Sequence, residues 1–356
     1  MAKRLVIKVG TKVLSSLDGT LDRAVIKHLV AQIISIKKGG AEVVLVTSGA
    51  MAAGRGLITL KGKEKIAQRQ VFAAVGQVEL MRIYSDFFSE HKELCAQVLA
   101  TKEDFRDKAH YLNMQTCFEN LLGSNVVPIV NENDVVATTE LLFTDNDELA
   151  GLVASQINAD AVVILTSVDG FLSGDPSDAN SRVISLIDFH ALDECEKYIA
   201  PEKTAFGRGG MLTKFHIAKK LALQGVTVYF ANGKKRNVLT DVLSGKPVGT
   251  KFIPREKSSA LKRRIAYSEG LCKGTVCVNK GAEDLLLSKT KIMSLLPVGI
   301  TNVEGDFAKG DIVEIRGGKK TKLGFGIAEY GADTAKELMG KKKARPLIHY
   351  NHMFIE

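Results

Sequence analysis

Residues Val126 to Leu149 read VVPIVNENDVVATTELLFTDNDEL. The stretch opens as an apolar run, Val126, Val127, Ile129 and Val130, of a length that suits a buried strand rather than a helix. It then falls abruptly into Asn131, Glu132, Asn133 and Asp134. The pattern repeats when Leu141, Leu142 and Phe143 lead into Asp145, Asn146 and Asp147. Amides and carboxylates crowded past the carboxyl end of a strand are what an open α/β sheet offers a polar ligand in its crevice. Asn and Asp also bond their own backbone and suit plain turns. Two such clusters, each behind an apolar run, favour a site for an amine or a metal over a pair of turns.

Working outward from there, short apolar runs alternate with helical patterns along most of the chain. Leu5–Val9 is β-rich and carries Lys8 near its end, where a buried lysine is costly unless its ammonium meets an anion. Asp22 is placed to cap a helix that runs to about Lys38 and closes at Gly39-Gly40. Val43–Val46 discharges into Thr47-Ser48-Gly49-Ala50, small residues that let backbone N–H groups approach a ligand at a helix start. A long helix is expected over about 64–89, a strand near 96–99 and a helix near 110–122. Beyond Asp147 follow a helix, the strand Ala161–Leu165 ending in Thr166-Ser167, and a helix near Phe189–Lys197. Phe206 to Lys214 (FGRGGMLTK) is a glycine-rich loop running into a helix with Lys214 in its first turns. Such a loop is either a phosphate cradle of backbone amides plus a lysine or a surface turn. It is not a Walker A loop. Val226–Phe230 is a further strand.

Strands alternating with helices imply a mostly parallel sheet covered on both faces. Lys8, Ser48, Asp134, Asp145–Asp147, Thr166 and Asp169 then fall at strand ends and should converge on one rim. Two lysines, carboxylates and glycine loops on one rim suit phosphoryl transfer, whose catalysis is positioning plus neutralisation of charge.

At 356 residues the chain exceeds one typical domain. Its hydrophobic share of 45% and charged share of 25% are those of a soluble globular protein. No apolar run approaches the ~20 residues of a membrane helix, and the N-terminal MAKRLVIKVG does not read as a signal peptide. Cys95, Cys117, Cys195, Cys272 and Cys277 are odd in number and scattered, which suits reduced thiols in a cytoplasmic protein. The net charge of +9 sits almost wholly in residues 251–356, which hold 20 basic against 12 acidic residues, while residues 1–250 hold 29 against 28. Gly245-Lys-Pro-Val-Gly-Thr-Lys-Phe-Ile-Pro254 punctuates the change. The last third reads as short strands (Thr275–Val278, Asp311–Ile315, Leu323–Tyr330) between glycine turns, which suits a small β-barrel. Basic charge there means either a nucleic-acid surface or a solvated face.

Taken together, K-x-G-T at Lys8–Thr11, V-T-S-G-A at Val46–Ala50, V-P-I-V-N-E-N-D at Val127–Asp134, D-N-D at Asp145–Asp147 and G-G-M-x-T-K at Gly209–Lys214 resemble the glutamate 5-kinases of the amino acid kinase family. Residues from about Gly274 onward resemble a PUA domain, including Ser294–Ile300 and Gly305–Gly310. The resemblance implies an amino acid kinase fold over 1–250, a linker over 251–273 and a β-barrel-like PUA domain over 274–356. It implies ATP-dependent phosphorylation of the γ-carboxylate of L-glutamate, the first step of proline synthesis, with ATP and Mg²⁺ as cofactors and no protein metal ligands. Lys8, Lys214 and Asp147 match the family's catalytic residues, the lysines on the acceptor and nucleotide sides and the aspartate orienting both. Ser48, Asp134 and Asn146 match its glutamate-binding residues, and Asp134 suits the α-ammonium. Thr166, Ser167, Arg208, Gly209, Gly210, Met211, Leu212, Thr213 and Lys214 match its ATP-binding segments. A homo-oligomer and a functional partner in γ-glutamyl phosphate reductase are implied too, with RNA as the other partner a PUA domain opens and no membrane. Kinases acting on N-acetylglutamate or aspartate are the rival reading. Lys12, Thr144, Ser167 and Arg208 depart from the family's residues, mostly beside the phosphates or the nucleotide.

Overall fold

The central strand, β1 (Arg4–Val9), is buried from Leu5 onward. In a computed structural model, which describes residues 3–355 apart from 62–65, 138–144, 176–177, 179, 200–209, 256–264, 266–271, 289–292 and 319–320, β1 lies between two parallel neighbours. These are β2 (Glu42–Val46) and β5 (Ala161–Thr166), with Lys8 level with Val46 on one side and Ile164 on the other. All six residues of β5 are buried, as expected of a strand covered on both faces, where apolar residues run on without alternation.

Outward from β2 come β4 (Val127–Glu132) and then β3 (Cys95–Ala100) at the edge. Outward from β5 come β7 (Thr227–Asn232), β8 (Thr250–Ile253) and β6 (Leu186–Asp188). Every ladder of this eight-stranded sheet is parallel except β7–β8. The carboxyl ends of β1, β2, β4, β5 and β7 therefore share one rim.

Helices alternate with these strands among the described residues up to Leu243. They are α1 (Thr11–Leu14), α2 (Arg23–Lys38), α3 (Ala50–Leu57), α4 (Ile66–Glu90), α5 (Lys102–Arg106), α6 (Lys108–Gly123), α7 (Asn146–Gln156), α8 (Leu192–Cys195), α9 (Met211–Leu223) and α10 (Val238–Leu243). Asp22 caps α2 by accepting from the N–H groups of Ala24 and Val25, both at 3.1 Å. Such a cap satisfies donors that the first helical turn leaves without partners. Where α3 crosses α4, glycines let the backbones touch. A Cβ on Gly76 would stand 1.8 Å from the Ala50 carbonyl oxygen, and one on Gly54 2.0 Å from that of Phe72.

The chain divides into two compact units, Met1–Thr101 with Met114–Lys257, and Lys102–Asn113 with Ser258–Glu356. Three readings of the sequence change. The helix expected near Phe189–Lys197 is a 3₁₀ turn, the single turn α8 and a second 3₁₀ turn. The short strands β6 and β8 carry too few residues to show a period. And β8 falls at the start of the stretch read as a linker, where Phe252 is fully buried. The Gly and Pro residues at 245–249 mark the turn into that strand rather than the end of the sheet.

The second unit holds a five-stranded sheet in the order β10-β9-β11-β12-β13. Its strands are β9 (Gly274–Val278), β10 (Ile300–Gly305), β11 (Ile312–Arg316), β12 (Lys322–Ile327) and β13 (Met353–Ile355), antiparallel throughout except between β9 and β11. It has its own core, including Val276, Phe307, Val313, Ile315, Leu347 and Ile348, as an independently organised domain requires.

Candidate active site

Lys8 emerges at the carboxyl end of β1 and is 5% exposed. Its Nζ lies 2.5 Å from Oδ1 of Asp147, a residue with no exposure at all. The other oxygen, Oδ2, lies 2.9 Å from Nζ of Lys214 in the first turns of α9. A carboxylate so deeply buried persists as an ion only when paired. Burial would raise its pKa, but the charges of Lys8 and then Lys214 outweigh it and hold the Asp147 carboxyl near 2. Gly10 is part of this arrangement, since a Cβ there would stand 3.3 Å from Lys8 Nζ.

Asp147 owes its place to α7, in whose first turn a negative charge also meets the positive end of the helix dipole. Asp145 caps that helix, its Oδ1 accepting from the N–H groups of Asp147 at 2.9 Å and Glu148 at 3.2 Å. Burial, and then the charge of Asp147, push the Asp145 carboxyl up to about 7.

Between these two aspartates, Asn146 ties three rim segments together. Its Nδ2 group donates to the Thr47 carbonyl at 2.6 Å, to Asn131 Oδ1 at 2.9 Å and, at 3.1 Å, to Ser48 Oγ. The chain turns out of β2 at Ser48 because Gly49 adopts φ +102 and serves as N-cap of α3, a conformation that disfavours any side chain. Asn131, 2% exposed, ends β4 and passes the network on to Gln77 of α4. Asp134 lies half-buried in the turn just beyond.

On the β5 side the rim is built differently. Thr166 spends its hydroxyl on its own turn, donating to the Val168 carbonyl at 2.7 Å and accepting from the Val168 N–H at 3.0 Å. Ser167 is exposed at the tip of that turn. Asp169 is held by Asn232 at 2.9 Å and Lys235 at 2.7 Å. Gly210 is the extended N-cap of α9, and Met211, Leu212 and Thr213 form its first turn. Arg208, Gly209 and Thr144 lie outside the described residues, as does the apolar run Leu141–Phe143.

Residues 3–232 match the amino acid kinase family, and residues 274–350 match the PUA domain. A glutamate 5-kinase of Chlorobaculum tepidum is 49% identical over 354 residues, spanning 99% of this chain and 97% of the relative. One from Bacteroides thetaiotaomicron is 46% identical, spanning 99% and 98%. The chain belongs to the glutamate 5-kinases of the amino acid kinase family. Among solved structures, carbamate kinase from Giardia lamblia bound to AMP-PNP superposes with a TM-score of 0.52 at 20% identity, covering 71% of this chain and 99% of that one. That likeness speaks for the fold.

Of the residues singled out in this amino acid kinase, the fold brings Lys8, Asp147 and Lys214 into one ion cluster, and Ser48 and Asn146 into one hydrogen-bond network. Asn131, Thr47 and Gln77 share the hydrogen-bond network without being among those residues, and Asp145, which the sequence places on the rim, caps the helix that carries Asp147. Asn131 and Asp145 stand inside the quoted N-E-N-D and D-N-D motifs, so their signal was present. Gln77 gave none.

Proposed function

We propose that this glutamate 5-kinase family member transfers the γ-phosphoryl group of ATP to the side-chain carboxylate of L-glutamate, giving ADP and γ-glutamyl phosphate, and so opens proline synthesis. The observation that carries the reading is the single buried carboxylate of Asp147 holding two lysine ammonium groups beside an amide cluster. A γ-carboxylate oxygen attacks the γ-phosphorus as the bond to the bridging oxygen of ADP breaks. The attacking carboxylate is already ionised near neutral pH, so no general base is required.

Lys8 serves the acceptor side and Lys214 the nucleotide side, each offering positive charge where negative charge shifts during transfer. Asp147 keeps both ammonium groups in place without neutralising either fully, because it divides one charge between two. Ser48, Asn146 and Asp134 hold glutamate, the carboxylate of Asp134 receiving the α-ammonium. Gly210 to Lys214, preceded in the sequence by Arg208 and Gly209, form the nucleotide side together with Thr166 and Ser167. Thr166 acts there through the turn it shapes.

Mg²⁺ would arrive with ATP and would offset the negative charge of its phosphates. The rim fits an ion held mainly by phosphate and water, since Asp147 is committed to two lysines and Asp145 to the start of α7. Among the described residues no three acidic, His or Cys side chains gather into a metal cage, and Mg²⁺ commonly keeps water and phosphate oxygens as ligands.

We place the protein in the cytoplasm, as a homo-oligomer working with γ-glutamyl phosphate reductase. No described helix is long and apolar enough to cross a membrane, and all five cysteines are free. We assign the PUA domain, residues 274–356 after a linker ending at 273, to an appendage rather than to the chemistry, RNA being the ligand class that its exposed Lys341, Lys342, Lys343 and Arg345 would attract.

ATP-dependent hydroxamate formation, compared across glutamate, aspartate and N-acetylglutamate, tests the reading. Glutamate should be turned over far faster than aspartate, because a side chain one methylene shorter does not span from Asp134 to the phosphoryl path. Equal turnover of aspartate overturns it.

A further inference from the structure

Three amide groups stand in series beside the site, and their orientations are forced. The Thr47 carbonyl can only accept, so the part of the Asn146 amide 2.6 Å away must be its NH₂. The Glu132 backbone N–H can only donate, so the part of the Asn131 amide 3.0 Å from it must be Oδ1. That same Oδ1 accepts from Asn146 Nδ2, which leaves Asn131 Nδ2 to find its own acceptor at a site 2% exposed. The acceptor is Gln77 Oε1 at 2.8 Å.

Gln77 belongs to α4, far in sequence from both Asn131 and Asn146. It reaches the end of β4 because its neighbour Gly76 presses α4 onto the backbone of α3. Its own Nε2 is buried without a hydrogen-bond partner. What the side chain supplies to the network is therefore an acceptor.

We propose that Gln77 is a positioning residue for the acceptor substrate, acting through Asn131 on Asn146 and Ser48. The proposal rests on the glutamate-phosphorylating reading above. With Gln77 Oε1 in place, the Asn131 amide has one orientation, and its Oδ1 holds the Asn146 NH₂. The Asn146 carbonyl oxygen is then that amide's remaining acceptor, chemically suited to the ammonium group of an amino acid. Without Gln77 the buried Asn131 NH₂ has lost its acceptor, and the Oδ1 that holds the Asn146 NH₂ is kept in place by the Glu132 N–H alone. The effect falls on binding of the amino acid, since neither lysine of the ion cluster is part of this chain of bonds.

Steady-state kinetics of the full-length protein decide the matter. Gln77→Met keeps the length and removes both polar atoms, whereas Gln77→Glu keeps an acceptor oxygen and removes the Nε2 donor. The Met variant should raise the KM for glutamate about tenfold, the effect of one lost buried hydrogen bond. Its kcat and its KM for ATP should stay within about twofold of wild type, the signature of lost ground-state binding. The Glu variant should restore the glutamate KM to within about threefold of wild type, because an acceptor is again present. Gln77→Ala repeats the comparison should the Met variant not fold. An unchanged glutamate KM in the Met variant overturns the proposal. So does an equal rise in the Met and Glu variants, which would make Nε2 the working group, and so does a joint rise in both KM values, which would mean packing alone. Wild-type protein that fails to phosphorylate glutamate in the same assay overturns the functional reading instead, before any variant is compared.

Discussion

Lys8 and Lys214 share one carboxylate: the first reaches Oδ1 of Asp147 at 2.5 Å and the second reaches Oδ2 at 2.9 Å. One comes from the central strand and the other from the start of α9, so the contact ties distant parts of the chain to a residue with no solvent exposure.

Removing either lysine should leave a folded protein with little activity. Lys8→Ala and Lys214→Ala are each expected to lower kcat by about 100-fold or more, the order found when one preorganised electrostatic donor is lost. Circular dichroism and turnover on the same samples check this. A variant with near-normal kcat would take that lysine out of the reaction.

Asp147→Asn should be worse for stability than either lysine change. It leaves two ammonium groups facing an uncharged amide in a buried place, and breaking a buried pair costs about 3–5 kcal/mol. Urea unfolding of the variant beside wild type measures it. A loss below that of Lys214→Ala would mean that the lysines find other anions.

The raised pKa of Asp145 has a definite consequence for stability. The folded chain holds this proton to about pH 7, whereas the unfolded chain releases it near the ordinary value of 3.8. Between those limits the folded state binds more protons, so this stabilising contribution is full below about pH 4 and is lost as pH rises through 7. Asp145→Asn keeps a good helix cap and removes the titration. The stability difference, wild type minus variant, should therefore fall between pH 4.5 and 7.5 in the protein without ligands. Parallel curves over that range would show that Asp145 ionises normally.

Gly76→Ala tests the crossing of α3 and α4. The added methyl would stand 1.8 Å from the Ala50 carbonyl oxygen, so one helix must move. Overpacking of this kind costs about 1–3 kcal/mol. Because Gln77 is the next residue, the glutamate KM should rise together with the fall in Tm. A variant with lower Tm but an unchanged KM would separate the crossing from the site.

Several of these features were legible in the residues. A lysine inside a buried apolar run marked Lys8, because such a position is costly without an anion. Polar clusters behind apolar runs marked the rim, because strand ends meet solvent there. Asp22 and Gly39 bounded α2 through local capping chemistry. The strands β6 and β8 were not legible, each being held in the sheet by its neighbour's backbone rather than by a pattern of its own.

What the sequence determined by itself was the set of local elements, the alternation that yields a parallel sheet, and the polar residues standing at strand ends. Those follow from period, capping and the cost of burying charge, all of which act over a few residues. The tertiary structure decided which of those residues meet. That Lys8 and Lys214 divide one carboxylate and that Gln77 holds Asn131 depend on strand order and on the close approach of two helices at Gly54 and Gly76. Contacts between residues far apart in the chain carry no local signature, because the free energy that selects them comes from packing the whole sheet and its helices at once.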